Sequence, residues 1–421
     1  MLNDFNFSYS GKSTGAGALA IWTHHLKDIR IFNYHDTHYT GKTMKMGAGV
    51  QAFEAYEAAD RHGLAVVGGE CPTVGLAGGY TQGGGHSALA SKYGLGADQT
   101  LEWEVIDGTG NFHRATRSEN SDLYWALSGG GGGTYGVVYS MTVKAHLDIP
   151  ITGAKLAFTR EEGQEEAFWK AIEFYHSVVH SMSEAGGMTV YVFTSSTFNI
   201  MPLTMPGISE AAVKEILMPF TKKLSELGVA HELIVRESPG YLAHHNSMFD
   251  PILVGIAQYG GWLMPQSVVE KKNQQFTQVS REIVEDGAIY IGISINVTRS
   301  VAGDVYNAVL PAWRDAGISV VITSPWNESA TWEERLALQQ KMTDEWIPKL
   351  ASMAPDSGCY MNEGDFRQPD WKTAFYGENY DRLLSIKLKY DPYNVFYGLT
   401  AVGSDFWDIQ ADGRLCETFI R

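Results

Sequence analysis

The densest chemistry in the chain lies in residues 68–87, Gly68-Gly69-Glu70-Cys71-Pro72-Thr73-Val74-Gly75-Leu76-Ala77-Gly78-Gly79-Tyr80-Thr81-Gln82-Gly83-Gly84-Gly85-His86-Ser87. A backbone with so few Cβ atoms lets N–H groups approach a flat or anionic ligand. A flexible glycine-rich turn cluster would have similar composition. The interleaved Cys71, Tyr80, Gln82 and His86 argue against a linker, which favours small polar residues throughout. A second run, residues 123–138, leads from Tyr124-Trp125 through the glycines Gly129 to Gly133 into Gly136-Val137-Val138. Two such walls in one 150-residue segment suit a ligand of dinucleotide size, touched by backbone along its length.

Other cofactor and catalytic signatures fail on spacing. The glycine run opens no long helix and has no acidic residue at the distance a Rossmann fingerprint requires. No Gly-Lys-Ser/Thr closes it, and Gly11-Lys12-Ser13 lacks the upstream glycine and strand of a P-loop. The groups His24-His25 and His35-x-x-His38 have no third ligand at useful spacing, so no metal site is expected. Neither a serine nucleophile elbow nor a cysteine with a partnering base is apparent. His86 among glycines is read first as a packing residue with backbone hydrogen bonds, and Glu363 and Asp365 as a solvated pair near a turn.

The elements that must position these residues read as α+β. Residues 1–150 alternate glycine turns with short β-rich runs at 19–22, 43–46, 101–106 and 136–141, and one helix is signalled over 50–62. From residue 151 the texture changes to helices at 161–182, 209–227 and 267–286 and strands at 188–194, 252–258, 290–297 and 319–324. That spacing suggests one sheet with helices on a face. A last helix over 379–389 stops at Asp391-Pro392. The expected division is a cofactor domain from 1–150, a substrate domain from 151–355 and a returning segment from 356–421. Aromatics of the middle segment, including Phe168, Trp169, Phe174, Tyr175, Trp262 and Trp326, suit a flat or hydrophobic substrate, though most must be core.

Composition narrows the partners. A net charge of −16 over 421 residues, without a basic run, excludes nucleic acid and disfavours an anionic membrane surface. No apolar stretch has membrane-spanning length and no signal peptide is visible at the first residues. Three cysteines, Cys71, Cys359 and Cys416, are too few for a disulfide framework, and a Cys359–Cys416 bridge stays open. Compartment and oligomeric state are left open too.

The ordered motifs resemble a known family. Cys71 to Ser87, Tyr93-Gly94-Leu95-Gly96-Ala97-Asp98, the run from Asp122 to Val138, Tyr360-Met361-Asn362-Glu363, Asn379-Tyr380-x-Arg382-Leu383 and Lys389-Tyr390-Asp391-Pro392 are together similar to FAD-linked oxidases. The group is the fungal berberine-bridge-enzyme-like branch of the vanillyl-alcohol-oxidase/p-cresol-methylhydroxylase fold. The resemblance implies a two-domain α+β fold with an inserted antiparallel-sheet substrate domain. It implies hydride transfer from a small organic substrate to FAD, with dioxygen re-oxidising the flavin, in secondary metabolism or in oligosaccharide oxidation. Cofactor contacts are implied at Cys71, Thr73, Gly75, Gly78, Gly79, Gln82, Gly83, Gly84, His86, Ser87, Gly94, Asp98, Gly133, Gly136, Val137 and Val138. The backbone of 75–85 would line the isoalloxazine, and Cys71 would form a thioether to it, raising the flavin's potential. Without the motif, Cys71 reads as a small buried residue in a turn. Tyr360 and Asn362 are the implied catalytic pair, on one face of a strand, with a lowered tyrosine pKa suiting a base. A core aromatic with a bonded hydroxyl is the competing reading of Tyr360.

The pattern breaks near the beginning. Counting back from Gly11, Phe7 stands where the family's second flavin anchor, a histidine, is expected, and Ser8 where its aspartate is. The family's preceding segment has no counterpart, so the N-terminal FAD subdomain is expected to be incomplete. Either an upstream coding segment is missing from this reading, or the chain binds flavin weakly or not at all and serves as a redox-inactive binding protein. The abrupt onset of the match at Gly11 favours the first.

Overall fold

The computed structural model describes residues 2–3, 19–250, 257–325, 327 and 329–418. The anchor-side positions Phe7, Ser8 and Gly11 to Ser13, and Trp326, lie outside the described residues.

Two antiparallel sheets organise the molecule. The first is built from β1 (Ile29–His35), β2 (Thr40–Gly47), β3 (Thr100–Ile106), β4 (Phe112–Thr116) and β5 (Val137–Lys144), in the order β1-β2-β5-β3-β4. Between β2 and β3 run helix α1 (Ala52–Asp60) and the glycine-rich segment; α2 (Ser121–Leu127) follows β4. Met44, Met46, Trp103, Val105, Ala115, Val138 and Met141 alternate inward from this sheet and are buried. The first-turn N–H groups of α1 have no partner inside the helix. Ala52 N–H bonds the Val74 carbonyl at 2.9 Å and Phe53 N–H the Pro72 carbonyl at 3.0 Å, which pins the Cys71 loop to the helix start.

The second sheet has seven strands: β6 (Ile151–Thr159), β7 (Met188–Phe193), β8 (Thr197–Pro206), β9 (Glu232–Ser238), β10 (Ala257–Pro265), β11 (Ile289–Ser294) and β12 (Ala316–Pro325). Their order is β9-β6-β8-β7-β11-β12-β10. Interleaved with them are α3 (Glu165–Glu184), α4 (Glu210–Glu226), α5 (Tyr241–Met248), α6 (Gln266–Lys271) and α7 (Asn273–Glu285). Period-two alternation gives this sheet two unlike faces. Tyr191, Phe193 and Tyr290 pack with Tyr175, His176 and Phe276 of the helices, whereas Val190, Val192, Ile291, Ile293 and Val321 face away from them into a cavity. Gly292 is required in β11, because a Cβ there would stand 2.1 Å from the Tyr191 ring.

β1 and β4 of the first sheet were not expected, and three strands of the second sheet had no clear signal. β6 contains Gly153, Ala154 and Ala157, β8 contains Pro202 and Pro206, and β9 is a largely exposed edge, so none reads as an alternating run. The strand expected at 252–258 is found at Ala257–Pro265, and residues 252–256 lie outside the described set. The helix expected over 267–286 is two, broken at Lys272. Residues 360–362 form a turn, with Glu363 N–H bonding the Tyr360 carbonyl at 3.0 Å, in place of the expected strand. The middle segment ends in α8 (Trp332–Lys341) and α9 (Ile347–Met353), and the C-terminal segment supplies α10 (Trp371–Tyr376) and α11 (Tyr380–Tyr390). Cys359 is buried and Cys416 exposed, and they are not bridged. No helix among the described residues is long and apolar enough to cross a membrane.

Candidate active site

A cavity of about 300 Å³ separates the Cys71 loop from the open face of the seven-stranded sheet. One wall is Gly69, Glu70, Cys71 and Val74; the facing wall is Val190, Val192, Ile291, Ile293 and Val321; Tyr80, His86, Tyr360 and Glu363 close the inner end. Cys71 is partly exposed, and its Sγ lies 3.6 Å from the Thr73 hydroxyl.

The glycines Gly83 to Gly85 do a job other than lining this cavity. A Cβ on Gly83 would meet Asn362 Nδ2 at 2.5 Å, and one on Gly85 would meet the Tyr80 ring at 2.8 Å. Gly84 and Gly85 hold φ of +118° and +74°, conformations that side chains resist. These residues therefore bring Tyr80, Tyr360 and Asn362 close behind the cavity end. Of residues 75–85 only Tyr80 lines this cavity, whose wall on that side is Gly69, Glu70, Cys71 and Val74. The two glycine runs touch directly, Gly131 N–H donating to the Gln82 carbonyl at 2.8 Å. Gln82 spans its own loop, Nε2 to the Ala77 carbonyl at 2.9 Å, leaving Oε1 buried and unpartnered.

Other expected contact residues are placed by packing. Gly75 bridges to Gln51, Gly78 N–H bonds the Gly75 carbonyl, and the Gly79 carbonyl accepts from Asn362 Nδ2 at 2.8 Å. Ser87 Oγ accepts from Leu89 N–H at 3.2 Å. Gly133 takes φ +66°; Gly136 must lack a Cβ to pass Val105 Cγ2 at 2.6 Å as it enters Val137 and Val138 of β5. Asp98 is held by protein partners. Its carboxylate is buried and bonded by Arg314 at 2.7 and 2.9 Å, Asn307 at 2.7 Å and Leu95 N–H at 2.9 Å. Gly94 belongs with it, since a Cβ would stand 2.7 Å from Asp98 Oδ2.

At the inner end the sequence reading needs three corrections. Glu363 and Asp365 are not solvated: they are 5% and 0% exposed. Asp365 accepts from Gln258 Nε2 at 2.9 Å and from the Thr343 hydroxyl at 2.5 Å. Glu363 Oε1 accepts from His86 Nε2 at 2.8 Å, so His86 is an ion-pair partner before it is a packing residue. Burial opposes charge on His86, but the Glu363 carboxylate outweighs it and Glu70 adds to it, raising the imidazole to about 9. Tyr360 and Asn362 do meet, Asn362 Nδ2 donating to the phenol oxygen at 2.8 Å. The expected lowered pKa of Tyr360 is reversed: burial and then the Glu363 charge push the phenol well up, and the Asn362 and Gly85 donors do not offset them. Tyr360 is a neutral phenol, packed edge-on against His86 and Trp313.

Sequence reasoning missed Glu70. It is partly buried on the cavity wall with Oε1 enclosed and unpartnered, and burial raises its carboxyl to about 7. His86 Nδ1 and Glu363 Oε2 are likewise buried without partners. A flat aliphatic wall, a thiol at one edge and several unsatisfied polar atoms at one end suit a tricyclic ring with an apolar face and a polar edge. The residues present therefore fit an isoalloxazine.

The comparisons agree with this chemistry. A model described as "FAD binding domain" matches residues 6–116, and one described as "Berberine and berberine like" matches 359–402. FAD-linked oxidoreductase patO of Aspergillus clavatus is 49% identical over 419 residues, covering 99% of this chain and 73% of the relative. Bifunctional decalin synthase calF of Penicillium decumbens is 40% identical, covering 99% of this chain and 74% of the relative. The crystal structure of the VAO-type flavoprotein MtVAO615 from Myceliophthora thermophila C1 superposes with a TM-score of 0.92 at 38% identity, over 99% of this chain and 77% of that one. The chain belongs to the berberine-bridge-enzyme-like FAD-linked oxidoreductases of the vanillyl-alcohol-oxidase fold, and it is an FAD-dependent enzyme acting on a small molecule.

Proposed function

We propose that this oxidoreductase takes hydride from a small, largely apolar alcohol or activated C–H compound bound against the aliphatic face of the seven-stranded sheet. The observation that carries this reading is the unlike pair of cavity walls, Val190, Val192, Ile291, Ile293 and Val321 opposite the Cys71 loop. A flavin ring between them would accept hydride and, bonded through Cys71, would be a stronger oxidant than free flavin. Residues 1–150 and 356–421 would form the flavin unit and 151–355 the substrate unit, with Thr73, Gly75, Gly78, Gly79, Gln82 to Gly84, His86, Ser87 and Gly133 to Val138 supporting the cofactor. Tyr360 and Asn362 would hold the substrate oxygen: a neutral phenol fixed by an amide donates or accepts a hydrogen bond without changing charge.

Dioxygen would return the flavin to its oxidised state. An oligosaccharide is disfavoured as substrate, because sugar hydroxyls set against five aliphatic side chains would lose hydrogen bonds to water without replacement. The test is anaerobic flavin reduction with two panels, benzylic and allylic alcohols against gluco-oligosaccharides, followed by admission of oxygen. The expected result is reduction by members of the first panel alone and re-oxidation within seconds. Reduction by the sugars alone overturns the substrate assignment, and a flavin stable in air overturns the acceptor assignment.

A further inference from the structure

We propose that Glu70 is the proton acceptor of the oxidation and that the His86–Glu363 pair positions and tunes it. The proposal deepens the functional reading above and rests on the same cavity. Glu70 precedes Cys71 in the chain, so its carboxyl group and the thiol occupy one wall. Its backbone is fixed on both sides: His245 Nε2 donates to the Glu70 carbonyl at 2.9 Å, and the Tyr56 hydroxyl to the Gly69 carbonyl at 2.6 Å. Gly69 lies against the Tyr80 ring, where a Cβ would stand at 3.2 Å. The carboxyl oxygen Oε1 is enclosed with no protein partner, as are Glu363 Oε2 and His86 Nδ1 on the same cavity. Three enclosed and unsatisfied polar atoms around one apolar cavity call for a polar ligand group among them.

The other candidates for the proton are already committed. Tyr360 is held neutral, and its oxygen accepts from Asn362. Glu363 spends one oxygen on His86, which as a cation cannot accept. Asp250 is exposed and paired with Lys155. The groups facing Glu70 are Tyr56 of α1, Tyr241 and His245 of α5, Tyr80, His86 and Cys71 of the glycine-rich segment, and Tyr360 and Glu363 of the C-terminal segment. Burial raises the Glu70 carboxyl, His86 opposes the rise and Glu363 adds to it; the balance at about 7 lies in the range a general base needs.

For an alcohol, the substrate O–H bond breaks and its proton passes to Glu70. The carbon–hydrogen bond breaks with its electron pair, which leaves as hydride to the flavin, and a carbonyl forms. The substrate loses two electrons and two hydrogens; the carboxylate gains one proton.

The test has two arms on the flavin-loaded enzyme. The first is infrared titration of wild type, E70Q and H86Q without substrate. The expected result is a protonated-carboxyl band lost with a midpoint near 7, missing in E70Q, and shifted to higher pH in H86Q because a positive neighbour is gone. The second is anaerobic flavin reduction by benzyl alcohol. E70Q should be slowed by about 100-fold or more, with the acid limb of the pH profile removed and the benzyl alcohol Kd little changed. A band that survives in E70Q, a midpoint near 4.5, or E70Q reduction at the wild-type rate with the same acid limb overturns the proposal. If benzyl alcohol leaves the wild-type flavin oxidised, the substrate reading fails, and the infrared arm decides the assignment of Glu70.

Discussion

Tyr360 shows how little separates a catalytic tyrosine from a packed one. Its ring touches His86 and Trp313, as a core residue's would, yet its oxygen meets Asn362 Nδ2 at the end of the cavity. Because burial raises its pKa, the phenol stays neutral across the working range and contributes no limb to a pH profile. Y360F is therefore expected to lower the rate of flavin reduction by about 10- to 100-fold at every pH from 6 to 9. Stopped-flow reduction across that range checks this, and a pH-dependent loss would mean the phenol titrates. The Cys71 motif and the Tyr360-x-Asn362 pair were legible in the sequence because they sit in ordered local patterns. Glu70 was not, since a single acid beside a cysteine has no periodicity. Glu363 was misread as solvated because its partner His86 is 277 residues away, a distance only the fold closes.

At the scale of elements, glycine does two kinds of work. Gly83 and Gly85 clear space for Asn362 and Tyr80, while the second run is tied to the C-terminal helix by a hydrogen bond from the buried Lys387 ammonium. Lys387 of α11 pairs with Asp391 and donates to the carbonyls of Thr134 at 2.9 Å and Phe396 at 2.7 Å. Asp391 in turn accepts from the N–H groups of Val395 and Phe396, each at 2.9 Å. Removing one partner leaves a buried charge uncompensated, so K387A is expected to cost about 3–5 kcal/mol, read as a lowered midpoint of chemical unfolding. A loss under 1 kcal/mol would show that the clamp is not under load. Helices with capped or amphipathic sequences, α1, α3, α4 and α11, were readable to within a few residues. β6, β8 and β9 were not, because glycine, proline and edge exposure erase the alternation that marks a strand.

For the whole molecule, the buried titratable groups set opposing demands on stability. His146, His176 and His244 are depressed by burial to about 4, 3 and 3, so their contribution is complete above the unfolded value near 6.5 and is lost as pH falls. His86 is raised to about 9, so its contribution is complete below 6.5 and is lost as pH rises to 9; Glu70, raised to about 7, acts in the same sense between 4.5 and 7. The histidines outnumber Glu70 on the acid side, and a stability maximum near pH 6.5 is expected. The alkaline loss from His86 is about 3 kcal/mol at most. H86Q should flatten the alkaline limb of a Tm-against-pH curve and leave the acid limb; an unchanged alkaline limb would contradict the ion pair.

In the proposed function the two sheets meet around a flavin whose ring would lie within bonding reach of Cys71. The direct measurement is peptide mapping of the acid-denatured enzyme, wild type and C71S, with flavin absorbance and peptide mass followed together. The expected result is flavin carried by the peptide containing Cys71, with C71S releasing its flavin on denaturation. Flavin bound to a different peptide, or a C71S enzyme that keeps it covalently, would contradict the placement of the ring against Cys71.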